Sequence, residues 1–148
     1  MITRRFALGS AVVAAAFAMA GCAMSDSMSK PMMAPGAMAA QLSGTSEVPP
    51  SGSGGTGSAK VNLSGNSLTW TVTYSGLTGP AKAAHFHGPA TAGSNAGVVL
   101  PFTGDLTSPF TGSATLTDAQ IVDLKAGKWY INIHTAANPG GEIRGQVN

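Results

Sequence analysis

Between residues 59 and 75 the apolar positions recur every second residue. Ala59, Val61 and Leu63 alternate with Lys60, Asn62 and Ser64, and Leu68, Trp70, Val72 and Tyr74 alternate with Thr69, Thr71, Thr73 and Ser75. A period of two sends one set of side chains to one face of an extended chain, so both runs are expected as half-buried antiparallel strands. Gly65-Asn66 between them is the chemistry of a tight hairpin. Further strand-like runs are expected at 41–46, 82–87, 97–102, 109–115, 128–134 and 142–147. Turn-forming residues separate them, at Gly76 to Pro80, Gly88 to Gly97 and Asn138-Pro139-Gly140-Gly141. Many short strands at regular spacing predict an all-β sandwich or barrel. The low charged fraction of 9% and the 20 glycines suit turns and strands, not a helix bundle.

One helix interrupts this pattern. Thr117-Asp118-Ala119-Gln120 has the spacing of a capping box, with Thr117 as N-cap and Gln120 three positions on. Ile121 and Leu124 supply an apolar stripe, and Gly127 stands where a left-handed C-terminal residue belongs.

The N-terminus reads as a targeting segment, residues 1–21, outside the fold. Arg4-Arg5 is a positive start, and the apolar run from Phe6 to Met19 is short for a stable membrane span. Met19-Ala20-Gly21-Cys22 then resembles a bacterial lipobox, which makes Cys22 the expected lipidation site. Arg4-Arg5-Phe6 also resembles a twin-arginine signal, and both that export route and the general secretory one remain open. The chain is expected to be an exported lipoprotein of the cell envelope, held by its lipid on the periplasmic side or at the outer membrane. Asp26 falls at mature position five, not two, which favours the outer membrane. With Cys22 acylated no thiol remains, because it is the only cysteine.

Residues 22–40 read as a flexible tether rich in Ser, Pro, Ala and Gly. It holds Met24, Met28, Met32, Met33 and Met38, soft thioethers of the kind that bind Cu(I), in an otherwise low-complexity linker. The domain proper is placed at 41–148. The +2 charge comes from Arg4 and Arg5, so the exported part is near neutral and lacks a basic patch. Nucleic acid is therefore not an expected partner.

The chemistry-bearing residues are His85, His87 and His134, the only histidines. His85 and His87 at i and i+2 leave the same strand face, roughly 6–7 Å apart at the backbone. Parity assigns Ala84 and Phe86 to the core, and so points His85 and His87 away from it. In 129–134, Trp129, Ile131 and Ile133 take the core face, and Tyr130, Asn132 and His134 point outward. If the two strands are neighbours, the three imidazoles could form one cluster under the Gly88–Gly97 loop and hold copper or zinc, with an open position on the ion. Asp105, Glu47 and Glu142 are candidate fourth ligands or supporting partners of the ligands, with nothing in the sequence to choose among them. The competing expectation is that the rings hydrogen-bond to the glycine-rich loop and hold no metal. No nucleophile elbow, phosphate loop or positioned carboxylate pair is present, so enzymatic activity is not expected.

Several segments resemble the CHRD domain, named after chordin. They are Leu42-Ser43-Gly44-Thr45-Ser46-Glu47-Val48-Pro49-Pro50, Ala84-His85-Phe86-His87-Gly88-Pro89 with Asn95-Ala96-Gly97-Val98-Val99, and Leu116-Thr117-Asp118 through Gly127-Lys128-Trp129-Tyr130-Ile131-Asn132-Ile133-His134-Thr135. The last is Asn138-Pro139-Gly140-Gly141-Glu142-Ile143-Arg144-Gly145-Gln146-Val147. The resemblance spans about residues 40–148 and implies a β-sandwich with no well-defined enzymatic activity. A lesser similarity is to copper–zinc superoxide dismutases, which share a Greek-key sandwich, an H-x-H strand and a remote histidine. This sequence departs from them in having too few histidines for two metals, no cysteine pair and no clear zinc aspartate. The resulting expectation is a Greek-key β-sandwich, immunoglobulin-like or superoxide-dismutase-like, with one short helix and a mononuclear copper or zinc site. The alternative is a structural or protein-interaction module binding an envelope partner without metal.

Overall fold

The computed structural model describes residues 34–148. The expected targeting segment, the expected lipidation site Cys22, and Met24, Met28, Met32 and Met33 lie outside the described residues.

Eight strands run in the order β1 (Ala37–Ser43), β2 (Thr56–Ser64), β3 (Ser67–Ser75), β4 (Ala81–His87), β5 (Val98–Pro101), β6 (Phe110–Thr115), β7 (Tyr130–Thr135) and β8 (Ile143–Gln146). A 3₁₀ turn at Gly44–Ser46 follows β1, and one helix, α1 (Asp118–Lys125), lies between β6 and β7. The all-β class with a single short helix is as expected. The strands form one antiparallel sheet in the order β5-β4-β7-β8-β1-β2-β3-β6, not two separate sheets. The sheet is continuous because β8 meets β1 at Ser43 and Arg144, and because Ala39 and Asn148 exchange backbone hydrogen bonds of 2.8 and 2.9 Å. It curls so that its two halves face each other. Trp70 on β3 meets Phe86 on β4 edge-on, with ring centroids 5.3 Å apart, and stacks on Phe102 at 5.0 Å.

The alternation in β2 and β3 appears as burial. Ala59, Val61, Leu63, Leu68, Trp70 and Val72 are buried, and the residues between them are exposed. The hairpin turns at Gly65, whose φ of 60° is left-handed backbone that glycine enters freely. On β6, Gly112 faces Trp70, and a Cβ there would lie 2.3 Å from the indole ring. Only a residue without a side chain lets the ring occupy that space.

The helix is closed at its start by the expected capping box. Gln120 N–H donates to Thr117 Oγ1 at 3.3 Å, and Thr117 N–H donates to Gln120 Oε1 at 2.9 Å. Buried Leu124, with Ile121 beside it, fastens the helix to the core, and Gly127 has a φ of 66° at its end.

The first strand differs from expectation. It begins at Ala37, inside the stretch expected as tether, and ends at Ser43, where a strand was expected to 46. Its length follows from β2, which pairs with it from Ala37 opposite Asn62 to Ser43 opposite Thr56. Ala37, Met38, Ala39 and Ala40 carry little contrast between faces, so their parity is invisible in sequence. Met38 packs against the core and belongs to the domain. Among the described residues, no helix is long and apolar enough to cross a membrane.

Candidate metal centre

Strands β4 and β7 are antiparallel neighbours, with His85 opposite Asn132, His87 opposite Tyr130 and Ala83 opposite His134. Ala84, Phe86, Ile131 and Ile133 fill the core side of this pair, as parity predicts. The opposite side therefore carries His85, His87, Tyr130, Asn132 and His134. Strand β8 extends the same face, because Arg144 stands opposite Asn132 and Gln146 opposite Tyr130.

One nitrogen from each of His85, His87 and His134 lies within 4.8 Å of the others. His85 Nδ1 and His134 Nε2 are 3.1 Å apart. All three rings are half-buried. Two are held by backbone carbonyls: His87 Nδ1 is 3.0 Å from Ala96 O, and His134 Nδ1 is 3.0 Å from Pro139 O. A carbonyl only accepts, so each of these Nδ1 atoms carries the proton and each Nε2 is left with a lone pair. His87 Nε2 is buried with no hydrogen-bond partner. His134 Nε2 accepts from His85 Nδ1 when no ion is bound.

Burial is the main reason that all three imidazoles are held below their ordinary pKa. For His85 the neighbouring His134 and His87 add to it. For His87 burial outweighs the opposing pull of the Ala96 carbonyl, and His134 and Arg144 lower the pKa further. For His134 burial again prevails over the Pro139 carbonyl. The cluster is thus neutral and basic-nitrogen-rich at neutral pH, the state in which imidazole ligates metal.

The face is not open, as an outer face was expected to be. Tyr130, Asn132 and Arg144 are buried. The cover is the loop 88–97, together with Glu47. Tyr130 stacks on His87 with centroids 4.9 Å apart and planes 6° from parallel, and the Arg144 guanidinium lies 3.4 Å from the Tyr130 ring centroid. Sequence parity gives the direction of these side chains, and the loop that directly follows β4 lies over the cluster as expected; parity could not show that Tyr130, Asn132 and Arg144 become buried beneath it. Arg144 was missed as part of the site. Its signal was its place as the only arginine after Arg5, in a strand paired at the same parity as the histidines.

None of the candidate fourth ligands joins the cluster. Glu142 is fully buried and accepts from Ser53 Oγ, Thr78 N, Thr78 Oγ1, Thr135 Oγ1 and Asn138 Nδ2. Burial raises its pKa, but the bonds from Thr135, Thr78 and Ser53 prevail and hold it at about 2. It staples three loops and has no capacity left for an ion. Asp105 is exposed and accepts from Thr107 N–H and Oγ1 at 2.8 and 2.7 Å. Glu47 Oε2 accepts from Asn132 Nδ2 at 3.1 Å, while Glu47 Oε1 and Asn132 Oδ1 are buried without partners. Burial pushes the Glu47 carboxyl up to about 7, against the lowering pull of Arg144 and of its hydrogen bonds from Asn132 and Val48. A protonated Glu47 has a hydroxyl to offer, which an ionised one lacks. Among the described residues, the three histidines are the only group of His, Cys, Asp or Glu arranged to share an ion.

No curated protein and no solved structure matches this chain significantly. A family model does match: that of the CHRD domain, over residues 38–147. Its start agrees with β1, which the structure places at Ala37. The match covers well over half of the sequence, and the chain belongs to the CHRD domain family.

Proposed function

We propose that this CHRD domain binds one copper or zinc ion through His85, His87 and His134, and that it does so as an exported protein tethered to the cell envelope through a lipid on Cys22. The observation that carries the metal reading is the pair of backbone-oriented imidazoles, with His87 Nε2 buried and unpartnered. A buried polar atom without a partner is costly unless something absent from the protein itself satisfies it. Carbonyls that fix the outer nitrogen of a ligating histidine are the usual support of a metal centre. The 3.1 Å between His85 Nδ1 and His134 Nε2 is close to the ~3.3 Å expected between neighbouring ligands of a tetrahedral ion with ~2.0–2.1 Å bonds to nitrogen. Three neutral ligands leave the ion's whole charge in place, and an open position on it would suit an anion or water. The envelope reading is supported by Arg4-Arg5, the apolar run to Met19 and the lipobox-like Met19-Ala20-Gly21-Cys22.

The test is loading of the chain, made soluble by Cys22→Ser, with Cu(II) or Zn(II), followed by dialysis and metal analysis. One ion per chain is expected, lost in His85→Ala, His87→Ala and His134→Ala. Retention unaffected by those variants contradicts the reading. Absence of any retained ion leaves the interaction-module reading, which the exposed Val98 on the edge strand β5 favours. Labelling of cells with a radioactive fatty acid tests the anchor, with incorporation expected in the unaltered chain and none after Cys22→Ser.

A further inference from the structure

Arg144 is 2% exposed, yet no carboxylate lies within ion-pair distance of it among the described residues, whose one ion pair is Lys128 with Asp123. A buried cation is expensive and persists only where other groups compensate it. The compensation here comes from one loop and one ring. Nη1 donates to Asn95 Oδ1 at 2.8 Å, Nη2 donates to Ser94 O, and the guanidinium covers Tyr130. Asn95 in turn donates from Nδ2 to Val48 O at 2.9 Å, and the residue after it, Ala96, supplies the carbonyl that orients His87. The same carbonyl accepts from the Tyr130 hydroxyl at 3.3 Å. Arg144 therefore grips the loop on one side and the ring stacked on His87 on the other.

We infer that Arg144 is a positioning residue of the histidine cluster: by holding Ser94 and Asn95 it fixes the Ala96 carbonyl on His87 Nδ1, and so keeps the His87 Nε2 lone pair free for a metal ion. The inference deepens the metal-binding reading and rests on it for its function, but the geometry of the clamp is independent of any ion. Glu47, a buried acid that feels the Arg144 charge, is hydrogen-bonded to Asn132 and leaves the guanidinium fork to the loop. The fork matters as well as the charge. Two parallel donors reach two acceptors on adjacent loop residues, which the single ammonium of a lysine cannot reproduce.

The experiment uses nitrogen NMR of the histidine rings in the metal-free chain, and Zn(II) affinity by competition with a chelator. Four forms are compared: the unaltered protein, Arg144→Lys, Asn95→Ala and Asn95→Asp. Asn95 is exposed, so its variants are expected to fold even if Arg144→Lys does not. Asn95→Ala removes one of the two loop contacts of the clamp, together with the bond to Val48, and leaves the bond from Nη2 to Ser94 O. It is expected to change His87 from a single Nδ1–H tautomer to a mixture and to weaken Zn(II) binding roughly 10-fold, within the ~10–100-fold range for lost supporting contacts. His134, held by Pro139, keeps its tautomer and serves as the internal control. Asn95→Asp retains an oxygen for Arg144 but loses the bond to Val48, and is expected to restore both readouts. Arg144→Lys, where folded, behaves as Asn95→Ala or worse. An unchanged His87 tautomer in Asn95→Ala overturns the inference, and so does failure of Asn95→Asp to restore it. If the unaltered chain binds no Zn(II), the metal reading fails while the tautomer measurements still decide the clamp.

Discussion

At the scale of single residues, the titratable groups divide by how their burial is compensated. The three histidines have folded-state pKa values below the ordinary imidazole value, because protonation would place a cation in a half-buried cluster. The unfolded chain then binds more protons than the folded one just below pH ~6.5, so their contribution to stability is full above that pH and declines as the pH falls through the lowered values. Protons and metal compete for the same lone pairs. Retention of Zn(II) is expected to hold from pH ~8 down through ~6.5 and to fall only as the pH passes through the lowered folded-state values, read as bound metal after dialysis at each pH. Glu142 behaves as a depressed acid. Its contribution is present above its unfolded value of 4.5 and is lost as the pH drops toward about 2. Glu142→Gln is expected to cost about 2–5 kcal/mol in denaturant unfolding at neutral pH, since a buried charge-assisted network is broken. Glu47 has the opposite sign. Its folded-state value of about 7 lies above 4.5, so its contribution is complete below 4.5 and is lost as the pH rises through 7. Glu47→Gln should therefore gain on the unaltered chain as the pH rises across that window. A pH-independent difference between the two unfolding curves would contradict a buried neutral acid.

Elements were legible where their pattern is local. Val61, Trp70 and Val72 show a period of two within a single run, and Thr117 with Gln120 marks the helix start within four residues. Strand β1 was obscured because its alanines look alike on both faces, and its length is set by a partner roughly twenty residues away. The same limit hid how deeply the loop 88–97, expected over the histidines, buries their neighbours. That His85 and His134 share a face follows from parity and pairing, but the burial of Tyr130, Asn132 and Arg144 depends on where the loop 88–97 lands. The contact between β3 and β6 is also non-local, and it is tight. Gly112→Ala would drive a methyl into the Trp70 ring and is expected to cost about 1–3 kcal/mol, measured by chemical denaturation. A cost near zero would mean that the indole can move aside and that β6 is loosely packed on β3 there.

For the whole molecule, the curled sheet serves two purposes through its two surfaces. Its inner side gathers Trp70, Phe86, Phe102, Phe110 and Trp129 into one aromatic core. The reverse side of β4, β7 and β8 carries a second, polar interior, in which Arg144, Tyr130 and His87 are layered under one loop. The family match, residues 38–147, covers all of this sheet but its first residue, so both surfaces belong to the CHRD domain itself. The methionines before Ala34, in the stretch expected as a tether, would be a rival source of metal affinity to the proposed site, and the two would differ in chemistry: nitrogen from the domain, sulfur from the methionines. X-ray absorption at the metal edge of the loaded full chain separates them directly. Three imidazole nitrogens at ~2.0 Å with no sulfur neighbour are predicted. A shell of methionine sulfur, or fewer than two imidazoles on the ion, would contradict the claim that His85, His87 and His134 form the metal site.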